Sequence, residues 1–150
     1  MSNGINLALV GASGVVGKKI ISLLEKKNIE IKNFYPLGSS SVGDDILFND
    51  QVFKIESLSK FNCSSIDLAI FSAGSAVARE HATNFVKKGV YVIDLSSEFR
   101  YEDNIPLIIP EINPKALIDS DGPILIANPN CSVSQLSLIH ISEPTRHERI

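Results

Sequence analysis

A glycine-rich turn between a predicted strand and a predicted helix constrains the fold of this chain more than any other feature. The apolar run Ile5–Val10 predicts a buried strand, and Val15–Lys27 carries apolar residues at helical spacing. Between them, Gly11, Gly14 and Gly17 follow the pattern G-x-x-G-x-x-G. In a dinucleotide-binding turn, the first glycine permits a tight bend, the second lets the backbone approach a pyrophosphate, and the third lets helix and strand pack closely. The turn therefore predicts a nucleotide site, although a tight bend without any ligand fits the same spacing.

Apolar runs alternate with a helical pattern along the rest of the chain. A second helix is predicted over Ala76–Lys88, with Ser75 as its N-cap and Gly89 after its end. Strands with apolar residues on both faces are typical of a parallel sheet covered by helices. We therefore expect one α/β domain of the Rossmann type, a doubly wound, mostly parallel sheet with helices on both faces. The further predicted strands are Ile29–Leu37, Gln51–Ile55, Leu68–Ser72, Val90–Asp94, Leu107–Ile109 and Ile124–Ala127.

Composition argues against several classes of protein. The 150 residues are 44% hydrophobic and 21% charged with a net charge of −3, which gives no reason to expect nucleic acid or an anionic membrane as a partner. Cys63 and Cys131 are too few for a disulfide framework, and no Cys/His cluster predicts a metal site. There is no readable signal peptide and no apolar run of about 18 residues. We expect a cytoplasmic protein that binds a small-molecule substrate.

The loop after the second strand bears on which nucleotide binds. NAD sites usually place Asp or Glu at the end of this strand, where the carboxylate holds the ribose 2′-hydroxyl. Here the chain continues from Gly38 into Ser39–Ser41, and the first carboxylate is that of Asp44. Hydroxyl and amide groups suit a 2′-phosphate, so this loop favours NADP. A flexible surface loop without contact to a nucleotide fits the same residues.

Cys131 follows the predicted strand Ile124–Ala127. Ligands of doubly wound sheets bind beyond the carboxyl ends of the strands, so we expect this thiol on the same edge as the glycine-rich turn. If a helix begins at Ser132, its N-terminal amides favour a reactive thiolate. A structural cysteine remains the alternative, and that is how we interpret Cys63.

The segment Asp94–Arg100 leaves another predicted strand at that edge. The planar guanidinium of Arg100 suits a phosphate or a carboxylate. An ordinary surface ion pair with Glu98 or Glu102 fits the sequence equally well.

Several separated motifs of this chain resemble those of the aspartate-semialdehyde dehydrogenase family, and they follow one another in the same order as in that family. The resemblance covers Ile5 to Gln135, and the matching segments are Gly11–Gly17, Phe71–Gly74, Ile93–Arg100, Pro106–Pro114 and Asn128–Ser132. It implies an enzyme that uses NADPH to convert L-aspartyl 4-phosphate to L-aspartate 4-semialdehyde, on the route to lysine, methionine and threonine. The implied order is attack of a cysteine thiolate on the acyl phosphate, release of phosphate, and hydride transfer to the thioester.

The resemblance also implies roles for individual residues. Cys131 is the expected nucleophile, with Asn130 beside the reacting centre, and Arg100 and Ser97 are expected to bind the substrate phosphate. The expected nucleotide-binding residues lie in three loops: Gly11, Ser13, Gly14, Val15, Val16, Gly17, Ser39, Ser40, Ser41, Ser72, Ala73 and Gly74.

The chain departs from the family's pattern in two places. The family often has an arginine beside the serines after the second strand, and Ser41 or a neighbour stands there instead. Leu95 is closer to N-acetyl-γ-glutamyl-phosphate reductase, but that family has Gly before its cysteine and Tyr after it, so Asn130 and Ser132 disfavour this alternative. A non-catalytic nucleotide-binding module, such as a redox sensor, is a further alternative that does not need the motif around Cys131.

The last residues do not fit the pattern of the rest. Leu136–Ile150 shows no clean helical or strand period, and Leu136–Arg146 resembles the translation of a transposase-type sequencing-library adapter. We expect a nucleotide-binding domain over residues 1–135 and a non-native tail over 136–150. The resemblance places an acid–base histidine, a substrate-carboxylate arginine and most of a homodimer or homotetramer interface in a second domain. Because that domain is absent here, we expect this fragment alone to be inactive.

Overall fold

A parallel six-stranded sheet forms the centre of the fold. The structure is a computed structural model that describes residues 4–117 and 122–142. The helices are α1 (Val15–Lys26), α2 (Ser75–Lys87) and α3 (Cys131–Ser142). In chain order the strands are β1 (Ile5–Val10), β2 (Ile31–Gly38), β3 (Asp45–Phe48), β4 (Gln51–Lys54), β5 (Glu56–Ser57), β6 (Leu68–Phe71), β7 (Tyr91–Asp94) and β8 (Leu125–Ala127).

The order of the strands across the sheet is β5-β2-β1-β6-β7-β8, and all neighbours are parallel. The chain winds from β1 outward to β2 and β5, returns to β6 on the other side of β1, and then winds away in the opposite direction. This topology confirms the predicted doubly wound fold. Its switch point lies between β1 and β6, which is where sheets of this kind bind ligands.

Helices α1 and α2 cover opposite faces of the sheet because successive side chains of a strand point to opposite sides. Leu7 and Leu9 of β1 belong to the apolar cluster that contains Ile21 of α1. Val10 belongs to the other cluster, together with Phe85 of α2. The predicted coverage of both faces is therefore confirmed, and the sheet lies between two apolar cores.

Two glycines of the turn after β1 allow close contact between backbone segments. Gly11 has a φ of +84°, and a Cβ at this position would lie 3.0 Å from backbone atoms of Ser72 and Ala73. A Cβ on Gly17 would lie 2.3 Å from the carbonyl oxygen of Gly11, so a side chain there would separate α1 from the turn. The tight bend and the close helix packing predicted for the first and third glycines are confirmed.

The antiparallel hairpin formed by β3 and β4 is the part of the fold that the sequence pattern does not reveal. The pattern predicts one strand over Gln51–Ile55. In the structure, β4 pairs with β3 through a turn in which Asn49 and Asp50 have φ of +48° and +60°. Such turns usually carry glycine, and this one lacks that signal. Glu25 of α1 accepts a 2.9 Å hydrogen bond from the Asn49 amide, which ties the hairpin to the helix.

Two predictions about local structure are wrong. The N-cap of α2 is Gly74 rather than Ser75, because the turn needs a φ of +89°, which glycine adopts readily. Leu107–Ile109 is not a strand: Leu107 alone forms a parallel bridge, with Ala127. Strand β8 has three residues, so it offers little edge for a further strand.

Helix α3 continues past Gln135, where the sequence shows no helical period. No glycine or proline interrupts Cys131–Ser142. Val133 and Leu136 are 49% and 66% exposed, so these apolar side chains do not form the buried stripe that a periodic pattern marks. Residues 143–150 of the expected tail lie outside the described part of the chain. Within the part that is described, no helix is both long and apolar enough to cross a membrane.

Gly17→Ala tests the close packing of α1 on the turn. The methyl group would meet a backbone oxygen at 2.3 Å, so we expect the free energy of unfolding to fall by about 2 kcal/mol, as in overpacked cores. Gly14→Ala is the matched control, because its Cβ would lie 3.3 Å from the carbonyl oxygen of Gly11, a less severe contact. Its effect as a changed N-cap should stay below about 1 kcal/mol. Urea denaturation measures both, and equal losses would contradict the close packing.

Candidate functional site

Five strands reach one edge of the sheet in a single row. Val10 of β1 pairs with Leu37 of β2 and Phe71 of β6, Phe71 pairs with Asp94 of β7, and Asp94 pairs with Ala127 of β8. The loops that follow these residues therefore leave the sheet side by side. The glycine-rich turn and the segment after β8 share this edge, as predicted, and three strand spacings separate them by about 14 Å.

A cleft of about 240 Å³ opens at the switch point between β1 and β6. Ligand sites usually enclose about 300–1,000 Å³, so this cleft suits one part of an extended ligand that continues along the edge. Among the residues that the structure describes, no Asp or Glu lines it. The cleft is lined by eight residues predicted to bind the nucleotide, Gly11, Ser13, Gly14, Ser39, Ser40, Ser41, Ser72 and Ala73, together with Val10, Gly38, Leu58 and Val77.

Hydroxyl contacts hold the loops around the cleft. The Oγ atoms of Ser13 and Ser41 lie 2.8 Å apart, which joins the glycine-rich turn to the serine loop after β2. The Ser72 hydroxyl donates to the carbonyl oxygen of Val10 at 2.8 Å and contacts that of Gly11 at 3.3 Å. These contacts fix the two walls of the cleft on either side of the switch point.

Four other residues predicted to bind the nucleotide flank the cleft without lining it. Val15 and Val16 are 89% and 51% exposed at the start of α1, and Gly17 is buried beneath the turn. Gly74 has a φ of +89°, and no atom lies within 4 Å of a Cβ built on it, so conformation rather than space favours glycine there.

Cys131 is the first residue of α3, and its side chain is exposed. Asn130 caps this helix: its Oδ1 accepts a 3.0 Å hydrogen bond from the Ser132 amide, and its carbonyl oxygen accepts one from the Ser134 amide. The same Oδ1 lies 3.4 Å from the Sγ of Cys131. An exposed thiol at a helix N-terminus is accessible to an electrophile, whereas Cys63 is buried. Among the described residues, no three His, Cys, Asp or Glu side chains gather to hold a metal ion.

Arg100 pairs with backbone carbonyls rather than with Glu98 or Glu102. Its Nε donates to the carbonyl oxygen of Asn128 at 2.9 Å, and its Nη2 donates to that of Leu95 at 3.2 Å. These bonds join the loop after β7 to the loop that carries the thiol. A guanidinium has five N–H groups, so three of them have no partner among the described residues.

Asp94 is a buried acid beside this guanidinium. Burial raises the pKa of its carboxyl above the ordinary value for aspartate. Hydrogen bonds from the Ser96 hydroxyl at 2.6 Å and amide at 3.1 Å oppose the rise in pKa, as does the charge of Arg100. The carbonyl oxygen of Asp94 accepts a 2.8 Å hydrogen bond from the Asn128 amide. Asp94 therefore connects the loops after β7 and β8 through both its side chain and its main chain.

Two further contacts attach the loop after β7 to α2. Ser97 is exposed, and its Oγ lies 3.1 Å from that of Ser75. Glu98 forms a bidentate ion pair with Arg79 at 2.5 and 2.8 Å. Asp94 and Arg79 are residues of this region that the sequence pattern did not single out. An acid at the end of an apolar strand was the available signal for Asp94, whereas Arg79 gave none because its partner lies 19 positions away.

Comparison with known proteins identifies the family. Residues 6–120 match the model described as semialdehyde dehydrogenase, NAD-binding domain. The chain belongs to the semialdehyde dehydrogenase family. An aspartate-semialdehyde dehydrogenase of Legionella pneumophila is 46% identical over 137 residues, which cover 91% of this chain and 40% of that relative. The predicted resemblance to aspartate-semialdehyde dehydrogenases is confirmed, and the chain spans about 40% of the length of the curated relatives it matches.

Solved structures agree with this family. Aspartate-semialdehyde dehydrogenase II of Vibrio cholerae, complexed with ASA, matches with a TM-score of 0.85 at 35% identity, over 89% of this chain and 44% of that one. The aspartate-semialdehyde dehydrogenase of Candida albicans with NADP matches with a TM-score of 0.76 at 21% identity, over 95% of this chain and 48% of that one. At 21% identity the second likeness shows the fold alone.

Asp94→Asn tests the buried acid through the pH dependence of stability. Because folding raises the pKa of Asp94, the folded state binds its proton more tightly, and the resulting stabilisation is lost as pH rises through the folded pKa. We expect the stability of the wild type relative to Asp94→Asn to be greatest below about pH 4, the ordinary aspartate range, and to fall as pH rises from there through the raised folded pKa. Urea denaturation at several pH values measures this, with the exposed Asp103→Asn as control. A difference that stays constant or grows with pH would contradict the assignment.

Proposed function

We propose that this chain, as part of a longer protein, takes part in the NADP-dependent reductive dephosphorylation of L-aspartyl 4-phosphate to L-aspartate 4-semialdehyde in the biosynthesis of lysine, methionine and threonine. The observation that carries the proposal is the exposed thiol of Cys131 at the start of α3, on the sheet edge that also holds the glycine-lined cleft. Membership of the family and the names of its relatives support the substrate.

The thiolate of Cys131 attacks the acyl carbon of the substrate. A carbon–sulfur bond forms, the carbon–oxygen bond to phosphate breaks, and phosphate leaves with the electron pair. Asn130 holds the thiol beside its Oδ1, while the unpaired N–H groups of Arg100 and the hydroxyl of Ser97 bind the departing phosphate. The thioester is more readily reduced than a carboxylate, and the covalent step divides a difficult reaction into two. A nicotinamide nucleotide held by the residues of the cleft would supply a hydride to the thioester carbon. The carbon–sulfur bond formed by Cys131 would then break, which gives the aldehyde and returns the thiolate.

The cleft at the switch point has features that fit NADP. The close approach of Gly11 to the Ser72–Ala73 backbone leaves no room there for a side chain. Gly14 is exposed at the start of α1, where backbone amides meet a pyrophosphate in dinucleotide-binding folds. The loop Ser39–Ser41 offers hydroxyl and amide groups without a carboxylate, which favours a ribose 2′-phosphate over a 2′-hydroxyl.

We also propose that residues 1–135 form the nucleotide-binding domain, that residues 136–150 are a non-native tail, and that the natural reading frame continues into a second domain. Exposed apolar side chains within residues 1–135 support a surface that another domain or subunit covers, since Val15 and Tyr101 are 89% and 93% exposed. The complete protein would be a cytoplasmic homodimer or homotetramer.

Nucleotide titration tests the cofactor. We expect the chain to bind NADP⁺ more tightly than NAD⁺ in calorimetry, because none of the described residues that line the cleft carries a carboxylate. Gly14→Val should abolish binding of both nucleotides, because its side chain would occupy the space of the pyrophosphate. Gly122→Val is the matched control. Gly122 lies just before the first residue of β8, at the sheet edge away from the cleft, and no atom lies within 4 Å of a Cβ built on it. Tighter binding of NAD⁺ would overturn the NADP assignment.

Activity tests the chemistry. We expect the natural reading frame in genomic DNA to continue past the Gln135 codon into a second domain. The protein encoded by that longer frame should oxidise aspartate semialdehyde with NADP⁺ and phosphate. Cys131→Ala should abolish this activity, whereas the buried Cys63→Ala should retain it. The 150-residue chain should show no turnover, because it lacks the acid–base histidine expected in the second domain. General acid–base catalysis alone contributes about 10²–10⁴-fold to the rate. An active Cys131→Ala enzyme, or an in-frame stop after Ile150 in the genome, would refute these assignments.

A further inference from the structure

An ion pair outside the proposed site reaches the loop that carries Arg100. Arg79 of α2 binds both carboxylate oxygens of Glu98, with 2.5 Å from Nε to Oε1 and 2.8 Å from Nη2 to Oε2. The side chain of Glu98 is 15% exposed, although that of Arg79 is 71% exposed. The Glu98 amide also donates to the Ser96 hydroxyl at 3.1 Å. The turn therefore holds the Glu98 carboxylate largely out of solvent and against α2.

Glu98 lies two positions before Arg100 and shares its electrostatic surroundings. The buried carboxyl of Asp94 responds to both residues, since Arg100 lowers its pKa and Glu98 raises it. Within residues 4–117 and 122–142, the sequence contains two arginines, Arg79 and Arg100. A carboxylate as buried as that of Glu98 is costly to leave unpaired, so without Arg79 it would turn to the guanidinium of Arg100.

Arg100 has free donors for such a partner. Two of its N–H groups bind the carbonyl oxygens of Leu95 and Asn128, which leaves three groups unpaired among the described residues. These are the groups that the proposed function assigns to the substrate phosphate. Pairing with Glu98 would occupy them and cancel the positive charge that Arg100 holds against the loop before Cys131.

We infer that Arg79 is a positioning residue that holds Glu98 away from Arg100 and keeps Arg100 open to the anionic group of the substrate. This inference rests on the proposed function for the role of Arg100, and it adds a residue of α2 that is not placed in contact with substrate or thiol. The competing explanation is a simple clamp that fastens the loop to α2. If the ion pair is only a clamp, removal of either partner should weaken the anion site to the same extent. If the inference is correct, removal of Glu98 should restore the attraction of anions that is lost with Arg79.

The exposed thiol of Cys131 reports on this anion site in the 150-residue chain. Iodoacetate and iodoacetamide alkylate the same atom, but iodoacetate carries a negative charge, so the ratio of their rates measures how strongly the site attracts an anion. Peptide mapping by mass spectrometry separates Cys131 from the buried Cys63. The ratio is measured for the wild type, Arg79→Gln, Glu98→Gln and the double variant. Lys87→Gln controls for the loss of a positive charge from α2.

We expect Arg79→Gln to lower the ratio of iodoacetate to iodoacetamide rates by about threefold, the scale of a partly exposed ion pair. In the Glu98→Gln background the same change should lower the ratio little, because the Glu98 carboxylate is no longer there to compete for Arg100. Lys87→Gln should leave the ratio close to that of the wild type. Glu98→Gln alone should leave the ratio at or above that of the wild type, and a ratio lowered as much by Glu98→Gln as by Arg79→Gln would overturn the inference in favour of a clamp. Equal lowering by Arg79→Gln in both backgrounds would overturn it in favour of a general charge effect.

Arg100→Ala separates this inference from the proposed function. If Arg100→Ala leaves the ratio unchanged, Arg100 does not attract anions to the thiol, and the phosphate site of the proposed function fails together with the inference. If Arg100→Ala lowers the ratio while the effects of Arg79→Gln and Glu98→Gln are independent, the inference alone fails. Thermal denaturation checks the fold of each variant. Should Arg79→Gln unfold the chain, Arg79→Met, which keeps the aliphatic part of the side chain but not its charge, completes the test in the same two backgrounds with the same deciding outcomes.

Discussion

Close contact between backbone segments at the switch point of the sheet supports the rest of the structure. Gly11 approaches the backbone of Ser72 and Ala73 so closely that a Cβ would lie 3.0 Å away, and Gly17 brings α1 onto the carbonyl of Gly11. These contacts involve main-chain atoms, so no change of side-chain rotamer can make room for a larger residue. The Ser72 hydroxyl adds a hydrogen bond to Val10 across the same junction. The turn, the first helix and the wall of the cleft are therefore positioned together.

The position of the thiol depends on residues that are not seen to contact it. Asp94 binds the Asn128 amide through its carbonyl oxygen, and Arg100 binds the Asn128 carbonyl through its guanidinium. The loop before α3 is thus held through both the amide and the carbonyl of one residue, Asn128. Burial makes the charged form of Asp94 costly, and the hydrogen bonds from Ser96 offset part of that cost. The hydrogen bonds that Asp94 and Arg100 form with Asn128 therefore position the loop that leads to Cys131.

Local sequence signals predicted most of the regular structure. The observed strand β1 matches its predicted bounds, and α1 ends one residue before the predicted end, because apolar period and glycine punctuation act over a few neighbouring residues. The sequence pattern did not predict the β3–β4 hairpin, because Asn49 and Asp50 adopt positive φ in its turn without the glycine that usually marks such a turn. The cap of α2 was misplaced because the backbone turn selected Gly74, whereas a hydroxyl side chain was the signal in the sequence.

The sequence by itself determined the doubly wound sheet and the shared edge for the glycine-rich turn and the cysteine, because both follow from strand endings and short-range patterns. Tertiary structure alone decided which partner each charged side chain takes. Arg100 binds two backbone carbonyls, while Glu98 binds Arg79, which lies 19 positions earlier on α2. It also decided that Cys131 is exposed and Cys63 buried. Such pairings and exposures depend on distances between packed elements, and those distances are set only when the sheet and helices assemble.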